Sequence, residues 1–225
     1  MIPKHIHQIF IAFPDSPIKS IDDHPTFSEC YKKTIEFCNN HGYEHSLWTE
    51  SGIKALLKKY PSYYTDLYNS FPQYIMKCDL ARLLILYEYG GLYCDLDLFP
   101  VKSLDHFFEN RYELFVKWSG HTECYNAIMG CSPKHELFEK ILQHCRDSFI
   151  AKSQIDVYKN WTGRFVFQTT GHKMIQRVLK KYDYKDLLDI VFVDCKGTKI
   201  GDAHTAYFYD FNVSAWYNKK QQTFK

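Results

Sequence analysis

Two adjacent glycines between a helix pattern and an acidic strand pattern constrain this chain more than any other feature. Over residues 75–89, apolar residues recur at the three- and four-residue spacing of an amphipathic helix. These residues are Leu80, Leu83, Leu84 and Tyr87. Gly90 and Gly91 follow directly, and glycine both ends helices and permits a sharp change of direction. The sequence therefore predicts a helix, a tight turn and a strand over residues 92–98.

The predicted strand carries two carboxylates one residue apart, Asp95 and Asp97, between apolar residues. Since side chains alternate along a strand, both carboxylates are expected on the same side. Two like charges side by side repel each other unless a cation lies between them. Mg²⁺ and Mn²⁺ prefer oxygen ligands, and phosphate oxygens commonly complete their coordination. The motif therefore predicts a metal site that holds a phosphorylated ligand.

The predicted helix carries a polar pair, Asp79 and Arg82, three residues apart and hence on one face. Such a pair is often only a surface ion pair, which stabilises a helix by a few tenths of a kcal/mol. The Gly-Gly turn and the Asp-x-Asp pair that follow favour a functional role instead.

The run over residues 78–100, C-D-L-A-R-L-L-I-L-Y-E-Y-G-G-L-Y-C-D-L-D-L-F-P, resembles the DXD region of family-32 glycosyltransferases. This family includes yeast initiating mannosyltransferases and bacterial capsule or lipopolysaccharide transferases, and it is related to the catalytic domains of clostridial glucosylating toxins. Three further stretches are similar to other blocks of the family. They are I-P-K-H-I-H-Q-I-F (2–10), N-A-I-M-G (126–130) with His135, and S-A-W (214–216).

The resemblance implies an α/β fold of GT-A type, with a Rossmann-like nucleotide-binding sheet and flanking helices. The alternation of predicted strands and helices independently favours an α/β fold with a largely parallel sheet. Residues 165–170 are predicted as a strand or a loop. We expect a single domain over residues 1–225, a length sufficient for a buried core. Residues 1–100 would bind the nucleotide sugar and end in the DXD motif. Residues 101–225 would bind the acceptor and include the C-terminal tail.

The resemblance also implies roles for individual residues. Asp97 would be the direct ligand of Mn²⁺ or Mg²⁺, and Asp95 would contact the ribose, or the metal through water. Asp79 would contact the sugar hydroxyls, and Arg82 the diphosphate, which suits its planar and permanently charged fork. Asn126 would contact the sugar or the acceptor; the alternative is that it caps a turn.

Phe10 follows the first predicted strand, where relatives often have a Trp stacked on the nucleotide base; a plain core aromatic is the alternative. In the tail, many relatives have a His shortly before Ser-Trp, whereas the Ser-x-Trp spacing here resembles the toxins. This likeness predicts Ser214 as a metal ligand and Trp216 as the cover of the diphosphate. The lesser candidates are Asn212, Asp210 and His204. Residues 170–172 are Thr-Gly-His, where relatives often have Thr-Gly-Pro.

The implied function is retaining, metal-dependent transfer of a sugar from a nucleotide sugar to a hydroxyl acceptor. A UDP-sugar is favoured over GDP-mannose because the toxin-like tail and Phe10 suit a pyrimidine base. A glycan acceptor is favoured, with a protein acceptor as the alternative. Two other functions stay open: a nucleotide-sugar-binding module that has lost transfer, and an Asp-x-Asp phosphatase. Such phosphatases usually carry their motif on the first strand, whereas here it lies in mid-chain.

Charge and cysteine content bear on partners and compartment. A net charge of +2 gives no reason to expect a nucleic-acid partner. No apolar run approaches the ~20 residues that a transmembrane helix needs. The eight cysteines contain no C-x-x-C pair, and no export signal opens the sequence, so we expect free thiols in a reducing cytosol. The prediction is a cytoplasmic bacterial or viral protein, or one acting in a host cytoplasm, without a membrane anchor.

Overall fold

The computed structural model describes residues 1–14, 16–109, 111–118, 124–154, 162–190, 192–194, 199–200, 207–211 and 213. Its helices are α1 (Pro25–His41), α2 (Glu50–Leu57), α3 (Ser62–Ser70), α4 (Tyr74–Tyr89), α5 (Asp105–Glu109), α6 (Glu136–Ser153), α7 (Thr162–Thr169) and α8 (His172–Lys181). Its strands are β1 (His5–Ile9), β2 (Glu44–Trp48), β3 (Gly91–Cys94), β4 (Leu98–Pro100), β5 (Glu113–Trp118), β6 (Cys124–Cys131), β7 (Leu187–Ile190), β8 (Phe192–Asp194), β9 (Lys199–Ile200) and β10 (Phe208–Asp210).

The strands form two sheets. The larger sheet has six strands in the order β2-β1-β3-β6-β5-β7, and the smaller has four in the order β4-β10-β8-β9. The predicted α/β class is confirmed. The larger sheet is mixed rather than largely parallel, because β6 runs antiparallel to both of its neighbours, β3 and β5. Consecutive strands such as β5 and β6 can pair antiparallel through a short connection, whereas parallel pairing needs a long crossover.

Helix α4 lies at the centre of the molecule rather than at its surface. It contacts α2, α3 and α6 as well as strands β1, β3 and β6. As a result, its side chains are buried on nearly every face, including those of Asp79 and Arg82, which are each 3% exposed. The alternative of a surface ion pair for these two residues is therefore wrong. A buried ionic pair is costly unless its charges are well satisfied, so its presence in a core helix requires an explanation.

The predicted tight turn after α4 is confirmed. Gly90 and Gly91 have φ values of +68° and +87°, which favour glycine. A Cβ atom at Gly91 would lie 2.5 Å from the carbonyl oxygen of His5, so the turn also requires the absence of a side chain. The buried ring of His7 stabilises this turn. Its Nδ1 accepts a hydrogen bond from the Trp48 indole (3.2 Å), so its Nε2 carries the proton and donates to the Gly90 carbonyl (3.0 Å).

This buried histidine predicts acid sensitivity of the fold. Burial, followed by the charge of His5, lowers the pKa of His7 to about 3, against about 6.5 in an unfolded chain. The folded state therefore binds fewer protons below pH 6.5, and stability is lost as the pH falls from 6.5 towards 3. At pH 4.5 we expect His7 alone to cost about 2–3 kcal/mol. Urea unfolding at several pH values, compared with His7→Gln, checks this; equal pH slopes in the two proteins would contradict it.

The strand predicted over residues 92–98 is not one strand. Strand β3 ends at Cys94, residues 96–97 form a turn closed by a 3.2 Å hydrogen bond from the Leu98 amide to the Asp95 carbonyl, and β4 then joins the smaller sheet. The reason is a change of partner: β3 pairs with β6, whereas β4 pairs with β10. The argument from strand alternation therefore does not hold for Asp97, which lies in the turn.

The strand or loop predicted over residues 165–170 is also wrong. Residues 162–169 form helix α7, which packs against α6 and α8. Phe165 and Val166 are buried in the main core cluster. A short apolar run does not distinguish a strand from a buried helix, and here packing against two helices decides the outcome.

Candidate active site

Arg82 lies between two carboxylates at the buried centre of the site. Its Nη2 is 3.2 Å from Asp79 Oδ1, and its Nη1 is 3.3 Å from Asp95 Oδ1. The same Nη1 donates a 2.7 Å hydrogen bond to the Asn126 carbonyl in β6. One guanidinium thus connects α4 to the ends of β3 and β6. Because Arg stays charged when buried, its position is fixed by charge as well as by hydrogen bonds.

Asp79 accepts hydrogen bonds on both of its oxygens. Asn126 Nδ2 donates to Oδ1 at 3.2 Å, and Thr170 Oγ1 donates to Oδ2 at 2.7 Å. Burial raises the pKa of Asp79 to about 6, and Arg82 and Thr170 oppose this rise. The carboxylate is therefore ionised at neutral pH, although it is buried. Such a group is a strong acceptor for hydroxyls of a bound ligand.

Tyr93 is a site residue that the sequence reasoning missed. Its hydroxyl donates a 2.5 Å hydrogen bond to Asp95 Oδ1, and its ring centroid lies 4.6 Å from the Arg82 guanidinium carbon. Tyr93 is only 2% exposed. The signal that could have found it is its two-residue spacing from Asp95, since such residues share one side of a strand.

Asp97 is held by the C-terminal tail. The backbone amide of Val213 donates to Asp97 Oδ2 at 2.9 Å, and the amide of Phe211 donates to the Asp97 carbonyl at 3.0 Å. Burial, followed by the charges of Asp95 and Asp210, raises the pKa of Asp97 to about 7. When neighbouring carboxylates raise the pKa of a carboxyl group, a bound cation stabilises its ionised form strongly. This supports the prediction that the Asp-x-Asp pair carries a metal.

The tail places a third carboxylate, Asp210, beside this turn. Asp210 is 3% exposed, lies opposite Leu98 in the β4–β10 pairing, and accepts a 3.1 Å hydrogen bond from the Tyr125 hydroxyl. It was a lesser candidate in the sequence. The other tail residues of the prediction lie outside the described residues; they are Ser214, Trp216, Asn212 and His204.

The described donors fit a hard divalent cation in kind but not in number. Asp95 and Asp97 offer carboxylate oxygens, which suit Mg²⁺ or Mn²⁺. Within the part of the chain that the structure describes, no three His, Cys, Asp or Glu side chains are arranged to hold a metal ion together. An ion bound here therefore needs further oxygen ligands, from a phosphorylated substrate or from the remainder of the tail.

Two further predicted residues have positions consistent with the site. Phe10 is partly buried and directly follows β1, with its amide bonded to the Trp48 carbonyl (2.9 Å). Its contact with a nucleotide base stays a prediction. Asn126 lies inside β6 rather than at a turn, so the alternative of a turn cap is wrong. Its amide instead donates to Asp79.

Comparisons with known proteins identify sequences and a fold that are similar to this chain. The family model described as "Glycosyltransferase sugar-binding region containing DXD motif" matches residues 25–113, which include Asp79, Arg82, Asp95 and Asp97. An uncharacterized glycosyltransferase of Acanthamoeba polyphaga mimivirus is 29% identical over 174 residues, covering 75% of this chain and 64% of the relative. A mannosyl phosphorylinositol ceramide synthase of Saccharomyces cerevisiae is 28% identical over 190 residues, covering 81% of this chain but only 43% of the relative. The chain thus spans less than two thirds of the length of either relative.

Among solved structures, the PaToxG glycosyltransferase superposes with a TM-score of 0.55 at 17% identity, covering 80% of this chain and 70% of that one. At this identity the likeness concerns the fold, and it confirms the predicted GT-A type. Within the described residues, no helix has both the length and the apolar character needed to cross a membrane.

Proposed function

We propose that this chain transfers a sugar from a nucleotide sugar to a hydroxyl acceptor, because its residues 25–113 match the model of the DXD-containing sugar-binding region of glycosyltransferases. The resemblance to family 32 that the sequence predicts is confirmed by this match and by the named relatives. The transfer, its metal dependence and its retaining stereochemistry are the proposal.

One observation carries the proposal: a buried Arg82 joins Asp79 and Asp95, and the turn with Asp97 lies beside them and is fixed by the tail. A purely structural ion pair would need no adjacent carboxylate such as Asp97, whose pKa is raised by burial and by the charges of Asp95 and Asp210. An enzyme that binds a diphosphate through a cation needs such carboxylates next to a fixed positive charge. The geometry therefore supports binding of a nucleotide sugar at this end of the sheet.

The residues divide the work by chemistry. Asp79, ionised and buried, accepts hydrogen bonds from hydroxyls of the donor sugar. Asp97 and Asp95 hold the divalent ion, with Ser214 as the proposed tail ligand. A bound Mn²⁺ or Mg²⁺ supplies positive charge that stabilises the leaving nucleoside diphosphate. Phe10 is proposed to stack on the base, and Trp216 in the C-terminal tail is proposed to cover the diphosphate.

The proposal for the donor has two sources. The toxin-like tail and Phe10 favour a UDP-sugar, whereas several yeast relatives are named for mannosyl transfer, which favours a mannose donor such as GDP-mannose. A glycan or glycolipid acceptor suits those names better than a protein side chain. Action in the cytoplasm stays a prediction from the sequence.

Two alternatives make different predictions. A binding module without transfer activity would bind the nucleotide sugar but never cleave it. An Asp-x-Asp phosphatase uses the first Asp of its motif as a nucleophile, and here Asp95 is instead paired with Arg82 and hydrogen-bonded to Tyr93. This pairing favours the transferase.

The direct test is cleavage of the donor. Purified protein with Mn²⁺ would be given UDP-glucose, UDP-N-acetylglucosamine, UDP-galactose and GDP-mannose in separate reactions, and release of the nucleoside diphosphate followed with and without EDTA. We expect release from one donor, and its loss on chelation. Binding without release, even when diverse glycan acceptors are present, would favour the binding module. Absence of binding to all four donors would refute the proposal.

A further inference from the structure

Thr170 directly follows α7, and its side chain makes a contact that the end of this helix does not require. Its side chain is buried, with 1% exposure, and its Oγ1 lies 2.7 Å from Asp79 Oδ2 and 3.4 Å from the Val166 carbonyl. A threonine hydroxyl has one proton to donate. The shorter contact to an ionised acceptor is the stronger bond, so the proton points to Asp79.

The adjacent residue shows what a structural threonine does in this helix. Thr169 is also fully buried, but its Oγ1 donates at 2.7 Å to the Phe165 carbonyl, one turn earlier in the same helix. Its hydroxyl is thus satisfied within α7. Thr170 instead directs its hydroxyl to α4, 91 residues away in sequence. The two neighbouring threonines therefore form a matched pair: the hydroxyl of Thr169 bonds within its own helix, and that of Thr170 bonds to the site.

The bond from Thr170 completes the fixation of the Asp79 carboxylate. Arg82 and Asn126 both contact Oδ1 and so constrain the carboxylate from one side only. The hydrogen bond from Thr170 holds the second oxygen. An ionised carboxylate has about four acceptor positions, so one on Oδ2 stays available for a ligand hydroxyl.

We propose that Thr170 is a positioning residue for the donor sugar: it orients Asp79 so that the free acceptor position of Oδ2 meets a sugar hydroxyl. The inference rests on the proposed function, because it assumes that Asp79 contacts the sugar. Thr170 itself does not touch the substrate. It acts on recognition of the sugar, and not on recognition of the nucleotide.

This division gives a test with two ligands. Dissociation constants would be measured by calorimetry, with Mn²⁺, for the intact nucleotide sugar identified in the donor panel and for its nucleoside diphosphate alone. Thr170→Val keeps the shape of the side chain and removes the donor. We expect Thr170→Val to raise the dissociation constant of the nucleotide sugar about tenfold, as for loss of one hydrogen bond to a charged group. The dissociation constant of the nucleoside diphosphate should change by less than about twofold. Thr170→Ser restores the hydroxyl and the affinity, and Thr169→Val changes neither constant.

The outcomes separate this inference from the proposed function. The positioning role would be overturned if Thr170→Val weakened the binding of both ligands equally. It would also be overturned if Thr170→Ser did not restore the affinity for the nucleotide sugar. If the wild-type protein binds no nucleoside diphosphate, the proposed function fails instead. Should Thr170→Val not fold, Thr170→Ala is measured in its place with the same two ligands, and the same criteria apply.

Discussion

Replacing Asp97 by Asn is expected to abolish release of the nucleoside diphosphate, by about a thousandfold in kcat/KM, without destabilising the protein. The change removes one charge and little else. Asn keeps an oxygen that can accept the 2.9 Å hydrogen bond from the Val213 amide, and the backbone bond from Phe211 is unaffected. The loss of activity follows from the loss of a charged ligand for the divalent ion.

The same substitution is expected to raise the stability of the metal-free protein. The pKa of Asp97 is raised to about 7 by burial, Asp95 and Asp210, above the value near 4 of an unfolded chain. The folded state therefore binds this proton more tightly, and stability falls as the pH rises from 4 through 7. Above pH 7 the ionised Asp97 costs on the order of 1–3 kcal/mol, which Asn removes.

Donor cleavage and thermal unfolding at pH 7.5 check both effects. Asp147→Asn, the same change at an exposed position of α6, serves as the control and should leave activity and melting temperature unchanged. A variant Asp97→Asn that keeps a tenth or more of the wild-type activity would exclude Asp97 as the essential metal ligand.

Replacing Arg82 by Met is expected to destabilise the fold by about 3–5 kcal/mol and to abolish activity. Met fills much of the volume but provides no charge. Asp79 would then lie buried beside no cation, and the Asn126 carbonyl would lose its 2.7 Å donor. For a chain of this length the loss corresponds to a melting temperature lower by about 10 °C. Arg82→Lys is expected to fail as well, because an ammonium group cannot bridge Asp79 and Asp95 as the planar fork does.

The matched control is Arg146→Met in α6. Arg146 also pairs with a carboxylate, Asp147 (2.9 Å), and lies over the ring of Tyr63 (5.1 Å), but it is partly exposed. The substitution Arg146→Met should lower the free energy of unfolding by less than about 1 kcal/mol. The double variant Arg82→Met with Asp79→Asn should recover part of the lost stability, since it removes the unpaired charge. Urea unfolding of the four proteins measures these differences, and an Arg82→Met variant within 1 kcal/mol of wild type would contradict the prediction.

The sequence predicts best the elements whose signals are local. The helix before the Gly-Gly turn and the turn itself follow from periodicity and from glycine, and the structure confirms both. These features depend on residues within one or two turns of each other. The family resemblance then identifies the polar residues that the structure brings together at the buried end of α4.

Features that depend on distant partners were not predictable in this way. The strand over residues 92–98 divides because its second part pairs with the tail, and no local alternation encodes that partner. The hydrogen bond from Thr170 to Asp79 likewise joins residues that only the fold brings together. The burial of Asp79 and Arg82 arises from packing of α4 between other elements, which the amphipathic pattern underestimates.

The pairing of β4 with β10 has a consequence for how the protein folds. Leu98 lies opposite Asp210, and Pro100 opposite Phe208, so the strand beside the acidic turn finds its partner only after more than a hundred intervening residues. Closing such a long loop carries an entropic cost, and pairing of distant strands is slow. The helix and the glycine turn can form early from local contacts. The geometry around Asp97 must then be acquired late, and a chain in which β10 has not yet paired with β4 would lack the proposed active site.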